Sequence, residues 1–448
     1  MSKRLLRGVL IAFIGHTALV TGAAAPPDDR LQAYQGFRAA FDAHNYAEAL
    51  PLASQVVELS RNQFGKEAPE LANPLTNLGT TYLRMSQHGL ALDTYREALT
   101  VLDLQGDATN IKLLRPLQGI GMALRGLGRD DEAIAPLKRA VDITRNREGL
   151  YSLAQLPLLK ELIGSYMTVR RLEDAGREQQ YAFSIAETAY GKTDARLIGP
   201  IDDYARWYEA TGRYAAARTL HARAVAIADR TGGGGSLLAI DGLRGAARTY
   251  RLAFLYGESE EAQPGPTQAF ASMSTVQPPT APASGEGVRI LRNAEQRLLA
   301  ATPAIPLRLG EVQLDLAEWY LVAGLKARAL PALRDAWNSL SLAGAQQRLR
   351  EPAPLTYRPP AIAVARGLED VDKFDQSDVG LRVNVNADGE ATDVVVMNPV
   401  PERESAERAV IQAVKRAQFR PAVENGLPIA STDYVLRERV FVRKPKTP

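Results

Sequence analysis

Residues 78–102, LGTTYLRMSQHGLALDTYREALTVL, and residues 120–144, IGMALRGLGRDDEAIAPLKRAVDIT, fall into phase when one is slid 42 positions along the other. Gly79 then lands on Gly121, Ala91 on Ala133 and Ala98 on Ala140. The columns extend outward from this pair. Ala49, Ala91, Ala133, Ala175 and Ala217 are each 42 residues apart, and seven positions after them come Val56, Ala98, Ala140, Ala182 and Ala224. Nine positions before four of them stand Tyr82, Leu124, Tyr166 and Tyr208, and twelve before come Gly79, Gly121, Ile163 and Ala205. Several columns in phase define an internal repeat.

The repeat has a mechanical reading. Ala133 and Ala140 lie two turns apart on one helix face, and small residues there let two antiparallel helices approach closely. Ile134, Leu137 and Val141 recur around them at helical period. Gly128, just before Arg129-Asp130-Asp131-Glu132, marks the end of one helix and the start of the next, and Gly212-Arg213-Tyr214 does the same further on. The expected architecture is mostly α, then α+β: an α-solenoid of about seven helix-turn-helix repeats followed by a small β-β-α-β domain.

Leu78-Gly79, Tyr82, Ala91-Leu92, Tyr95 and Ala98-Leu99 resemble the tetratricopeptide repeat in its kinesin-light-chain-like form. The connectors Phe64-Gly65-Lys66-Glu67 and Tyr190-Gly191-Lys192-Thr193 resemble that form's extended inter-repeat loop. HEAT-type repeats have a similar period. The tetratricopeptide resemblance implies a superhelix that binds peptides or proteins along a concave face, with HEAT-type repeats as the fallback. Residues 26–255 are read as repeats one to five and the first helix of the sixth, which starts on phase with Ala247 and Tyr250. Residues 256–287, rich in Pro, Gly, Ser and Ala, are read as a disordered loop. Residues 288–345 are read as the final helices, where Ala317, Tyr320, Ala329 and Ala336 restore the offsets.

After Arg350 the texture changes. Prolines at 352, 354, 359 and 360 mark a linker over 346–372, and alternation replaces the helical period in 373–443: Leu381, Val383 and Val385 face one way, Arg382, Asn384 and Asn386 the other. Asp388-Gly389 signals a hairpin turn, Ala406 to Ala417 carries a helical stripe, and Tyr434 to Val442 reads as a last strand. The run Phe419-Arg420-Pro421-Ala422, then Asn425-Gly426 and Pro428, resembles the signature of the TonB C-terminal domain. Family members usually open with Tyr-Pro, whereas here Tyr357 is followed by Arg358.

That resemblance implies strand addition, in which an edge strand recruits a segment of an outer-membrane protein. The candidate edge is Tyr434, Val435, Leu436, Arg437, Glu438, Arg439, Val440 and Phe441, with Val435, Val440 and Phe441 expected to pack the small core.

The first 25 residues hold Lys3, Arg4 and Arg7, an apolar run and an alanine-rich exit, the pattern of a secretory signal peptide. The alternative is an uncleaved membrane anchor with His16 inside it. Without that segment the formal charge of +3 falls to about zero, so no basic footprint for nucleic acid remains. Residues 444–448 are a tail.

With no cysteine, thiolate chemistry is excluded. His44, His88 and His221 have no partner at metal-ligand spacing, and Gly191-Lys192-Thr193 lacks the glycine that a phosphate loop needs at 186, where Ala186 stands. The acid pairs Asp130-Asp131 and Asp202-Asp203 are expected at helix starts, complementing the backbone dipole. The reading is therefore a non-enzymatic protein without a cofactor or metal. It would bind proteins or peptides of the cell envelope, an outer-membrane receptor among them, as a periplasmic adaptor. The alternative is a membrane-anchored energy transducer.

Overall fold

The computed structural model describes residues 29–232, 236–257, 282–359 and 374–443. These residues form seven helical pairs. The first four are α1 (Asp29–Asp42) with α2 (Tyr46–Phe64), α3 (Ala72–Arg84) with α4 (His88–Asp103), α5 (Leu114–Gly126) with α6 (Asp130–Glu148), and α7 (Gln155–Thr168) with α8 (Leu172–Tyr190). Then come α9 (Ile198–Ala210) with α10 (Tyr214–Gly232), α11 (Leu237–Tyr256) with α12 (Pro282–Leu299), and α13 (Pro306–Val322) with α14 (Lys326–Leu342). Each helix packs on the next, and first helices also touch across repeats, as α3 does α5 and α9 does α11.

The alanine columns lie at the helix–helix seams: Ala49, Ala91, Ala133, Ala175, Ala217 and Ala329 are all buried. Close approach also explains the glycines. A Cβ at Gly119 would collide with the ring of Tyr95, which packs on Gly79 from its other side and shares a 2.9 Å hydrogen bond with Thr80. Between second helices runs a polar ladder with a separation of 36 residues: Arg61 to Glu97 at 2.6 Å, Arg139 to Asp103 at 2.7 Å and Arg145 to Tyr181 at 3.3 Å. Such partly exposed pairs each contribute roughly 0–1 kcal/mol, so the apolar seams carry the stacking.

The turn between the helices of a pair recurs as a column of left-handed residues. His44, Ser86, Gly128, Arg170 and Gly212 are 42 apart and have φ of 58, 58, 72, 62 and 76°. The sequence shows this conformation only at the two glycines.

The C-terminal module contains β1 (Ala353–Pro354), β2 (Phe374–Val385), β3 (Ala391–Val396), α15 (Glu404–Arg416), β4 (Phe419–Arg420), β5 (Ala422–Glu424), β6 (Leu427–Ile429) and β7 (Ser431–Arg443). The main sheet has the order β3-β2-β7, antiparallel throughout. Val379, Leu381, Val383 and Val385 of β2 meet Val410 and Val414 of α15 and Leu436 and Val440 of β7 in a core closed by Phe419.

Four expectations need correction. Helix α12 starts at Pro282, inside the stretch read as loop over 256–287; residues 258–281 lie outside the described residues. The stretch read as linker over 346–372 is structured at its start, because β1 pairs with β4 and Leu355 N–H donates to the Gln418 carbonyl at 2.8 Å. Val435 is 44% exposed, since strand parity puts Leu436 and Val440 inward. Asp202 and Asp203 sit in the second turn of α9, where they pair with His221 and Arg206 rather than with the helix dipole. His16, the leader 1–25 and the tail 444–448 lie outside the described residues.

A left-handed L-residue costs about 1 kcal/mol or more relative to glycine. Ser86→Gly, at an exposed turn with φ of 58°, should therefore stabilise the chain by about 1 kcal/mol. Thermal denaturation followed by circular dichroism would show it as a raised midpoint.

Candidate functional sites

Two regions hold polar groups in arrangements that the fold alone does not require. The first is a cavity of about 250 Å³ on the first-helix side of repeats five to seven. Arg244, Arg248 and Arg251 stand at i, i+4 and i+7 on α11; Glu311, Asp315 and Glu318 stand at the same spacing on α13. That spacing puts each set on one helix face. Arg244 donates to Asp315 at 2.6 Å and to Glu311 at 2.9 Å, and Arg251 donates to Glu318 at 2.9 Å. Arg248 turns the other way and grips Glu209 of α9 with two hydrogen bonds at 3.0 and 2.9 Å. Burial pushes the Asp315 carboxyl up from its usual range even beside Arg244.

His221 of α10 closes the cavity wall. Its ring packs against Gly245, with Nε2 3.0 Å from Glu209 and Nδ1 3.6 Å from Asp202. Burial alone would lower its pKa, but Asp202 and Glu209 outweigh burial and raise it above the ordinary value. Glu209 is the counterpart: burial would lift it, yet His221 and Arg248 hold it below the usual carboxylate range. His44 lies at a turn, 2.9 Å from the Tyr46 hydroxyl, and His88 starts α4. Among the described residues no group of His, Cys, Asp and Glu could hold a metal ion.

The second region is the seam between module and solenoid. Arg420, 4% exposed, reaches out of β4 into the last repeat. Its Nη1 donates to the Leu349 and Pro421 carbonyls at 3.3 Å, and its Nη2 to those of Arg348 at 3.3 Å and Glu351 at 3.0 Å. Its Nε lies 3.3 Å from Glu318, the same carboxylate that accepts from Arg251 in the cavity. Burial pushes the guanidinium below its usual value. Beside it the β5–β6 hairpin turns at Asn425 and Gly426, φ 51 and 75°, and Val423 enters the apolar core of the last repeats. A side chain at Gly426 would crowd Arg334 of α14, with contacts of 3.0 Å.

The signature residues thus divide their tasks. Phe419 and Ala422 are buried, Phe419 in the module core; Pro421 is buried next to Arg420, and Pro428 is half-buried on β6. The candidate edge residues Tyr434 to Phe441 lie on β7, which stands at one side of the sheet and pairs with β2 along its length. The α11–α13 charge ladder had escaped the sequence reading. Its signal is two i, i+4, i+7 runs of opposite sign, 67 residues apart.

Residues 38–103 match the family model of the tetratricopeptide repeat, and residues 360–435 match that of the Gram-negative bacterial TonB protein C-terminal. No curated protein matches the chain. Solved structures similar to it include the kinesin-light-chain TPR-like repeats of Podosopora anserina, at 18% identity over 46% of this chain and 98% of that one, TM-score 0.43. BtubC (BKLC) from P. vanneervenii is 16% identical over 67% of this chain and 92% of that one, TM-score 0.38. The apo form of RapI is 12% identical over 69% and 99%, TM-score 0.41.

Two outcomes follow from this geometry. His221 is raised above 6.5, so its stabilising contribution is complete below that pH and is lost as pH climbs through the folded value. Thermal scans across roughly pH 5 to 9 should show this decline in the native chain and a flatter profile in His221→Gln. Arg420→Ala leaves the carbonyls of Arg348, Leu349 and Glu351 without their donor and should cost about 1–3 kcal/mol. Limited proteolysis would then cut the 346–359 segment faster than in the native chain.

Proposed function

We propose that this protein is an exported, non-enzymatic adaptor of the cell envelope. Its helical repeats hold one protein partner along the first-helix side, and its TonB-type module takes a second by strand addition. The carrying observation is β7, a 13-residue strand at the end of the sheet order β3-β2-β7. Edge strands present unpaired backbone groups that template a further strand. The opposite edge, β3, runs only six residues, a poorer template. The tetratricopeptide match supports protein binding by the repeats, and the polar cavity of α9, α11 and α13 offers a partner segment both cations and carboxylates.

Export rests on the leader-like residues 1–25. Retained as an anchor around His16, the same segment would make the chain a motor-coupled energy transducer. Among the described residues no helix is long and apolar enough to cross a membrane. N-terminal sequencing of protein recovered from the envelope separates the readings: a start near residue 26 in the soluble pool supports the adaptor, an intact start in the membrane pool the transducer.

Strand addition has a direct test. A photo-crosslinking side chain placed at Arg437, exposed on β7, should capture an envelope protein in vivo, whereas one at Asp393, exposed on β3, should not. Equal adducts at both positions, or no adduct at 437 even in a variant that frees the whole of β7, would sink the proposal.

A further inference from the structure

The free side of β7 is not uniformly open. Arg439 on its outer face is held by Asp378 of β2 at 3.3 Å, and its guanidinium lies 3.6 Å from the point where a side chain on Gly128 would begin. Gly128 ends the turn after α5, where unpaired helix carbonyls favour a cation. Glu438, the preceding residue, projects to the opposite face, as successive strand residues must. It accepts a 2.8 Å hydrogen bond from the Tyr357 hydroxyl, and its charge acts on Arg170. Burial pushes Glu438 up and Arg170 down from their usual values.

Gly128 and Arg170 are the same position in successive repeats. The turn of the third repeat therefore meets β7 at Arg439 on one face, and the matching residue of the fourth, Arg170, acts through its charge on Glu438 on the other. Because β2 occupies the other side of β7, the repeats straddle the free edge there. The strap Leu355 to Arg358 reinforces this placement. Leu355 and Thr356 donate to the Gln418 carbonyl at 2.8 and 3.2 Å, and Arg358 donates to the Leu255 carbonyl and lies 4.9 Å over the Tyr256 ring.

We infer that the solenoid closes the C-terminal part of its own module's free edge, around Glu438 and Arg439, so that a partner strand can occupy the whole of β7 only after these two turns let go. This rests on the strand-addition reading. The seams differ in strength. The Arg420 seam is buried and joined to an apolar core, whereas the Arg439 guanidinium, 42% exposed, only rests against the Gly128 turn. The edge contact yields first, with the module still attached through Arg420.

The chain has no cysteine, so two introduced cysteines take spin labels without background. We would place them at the exposed positions Asp131, beside the Gly128 turn, and Arg437, and measure their separation by pulsed electron resonance in the full-length protein. The native chain should give one narrow, short distance. Arg170→Glu should add a longer population, and Arg170→Glu with Glu438→Arg should remove it again. A broad or long distribution in the native chain, a distribution that Arg170→Glu leaves unchanged, or a charge swap that restores nothing would overturn the closure. These distances involve no partner. An absent crosslink at Arg437 in every variant, including the opened one, would instead reject strand addition and leave the closure standing.

Discussion

A guanidinium buried between two units must find acceptors for its five N–H groups or leave. Arg420 donates from Nη1 and Nη2 to four carbonyls from both sides of the seam, and its Nε lies 3.3 Å from the Glu318 carboxylate. Three of the carbonyls belong to Arg348, Leu349 and Glu351, so the chain leaving the last repeat is folded around the arginine before it can reach the module. The pairing of β1 with β4 and the entry of Val423 into the repeat core both presuppose this arrangement.

Glu318 connects this seam to the cavity. It accepts from Arg251 on one side and faces Arg420 on the other, while Arg251 belongs to the same helix face as Arg244 and Arg248. The repeats and the module therefore share one continuous charge network rather than meeting across a neutral gap. A partner that drew Arg251 or Arg244 toward itself would alter the electrostatics at the root of the module.

The solenoid was legible because its signal is periodic: alanines at 42-residue intervals lie buried at helix seams. The module was legible from a compact motif, Phe419 to Pro428. What escaped depended on relations that a linear reading does not contain. Val435 was assigned inward because one residue of strand parity reverses a side chain, and β-branched residues suit either face. Asp202 and Asp203 were placed at a helix start because the short helical turn at 195–197 shifts the start of α9 relative to the pattern. Arg420 stood in the middle of a recognised motif as its variable position, although it makes the seam. The left-handed turns at His44, Ser86 and Arg170 were hidden for a related reason. Only glycine advertises that conformation, and tertiary packing imposes it on other residues at a local cost.

Repeat arrays ordinarily gain and lose units freely, since each repeat touches only its neighbours. Here the module is rooted on the seventh pair through Arg420 and touches the third through Arg439, beside Gly128. The distance between root and touch point is thus measured in whole repeats. Inserting or deleting one 42-residue unit between Arg170 and Glu318 would leave every local seam intact, yet β7 would face the wrong turns. The C-terminal module acts as a ruler on the solenoid, and the number of repeats in that span is fixed by geometry rather than by folding.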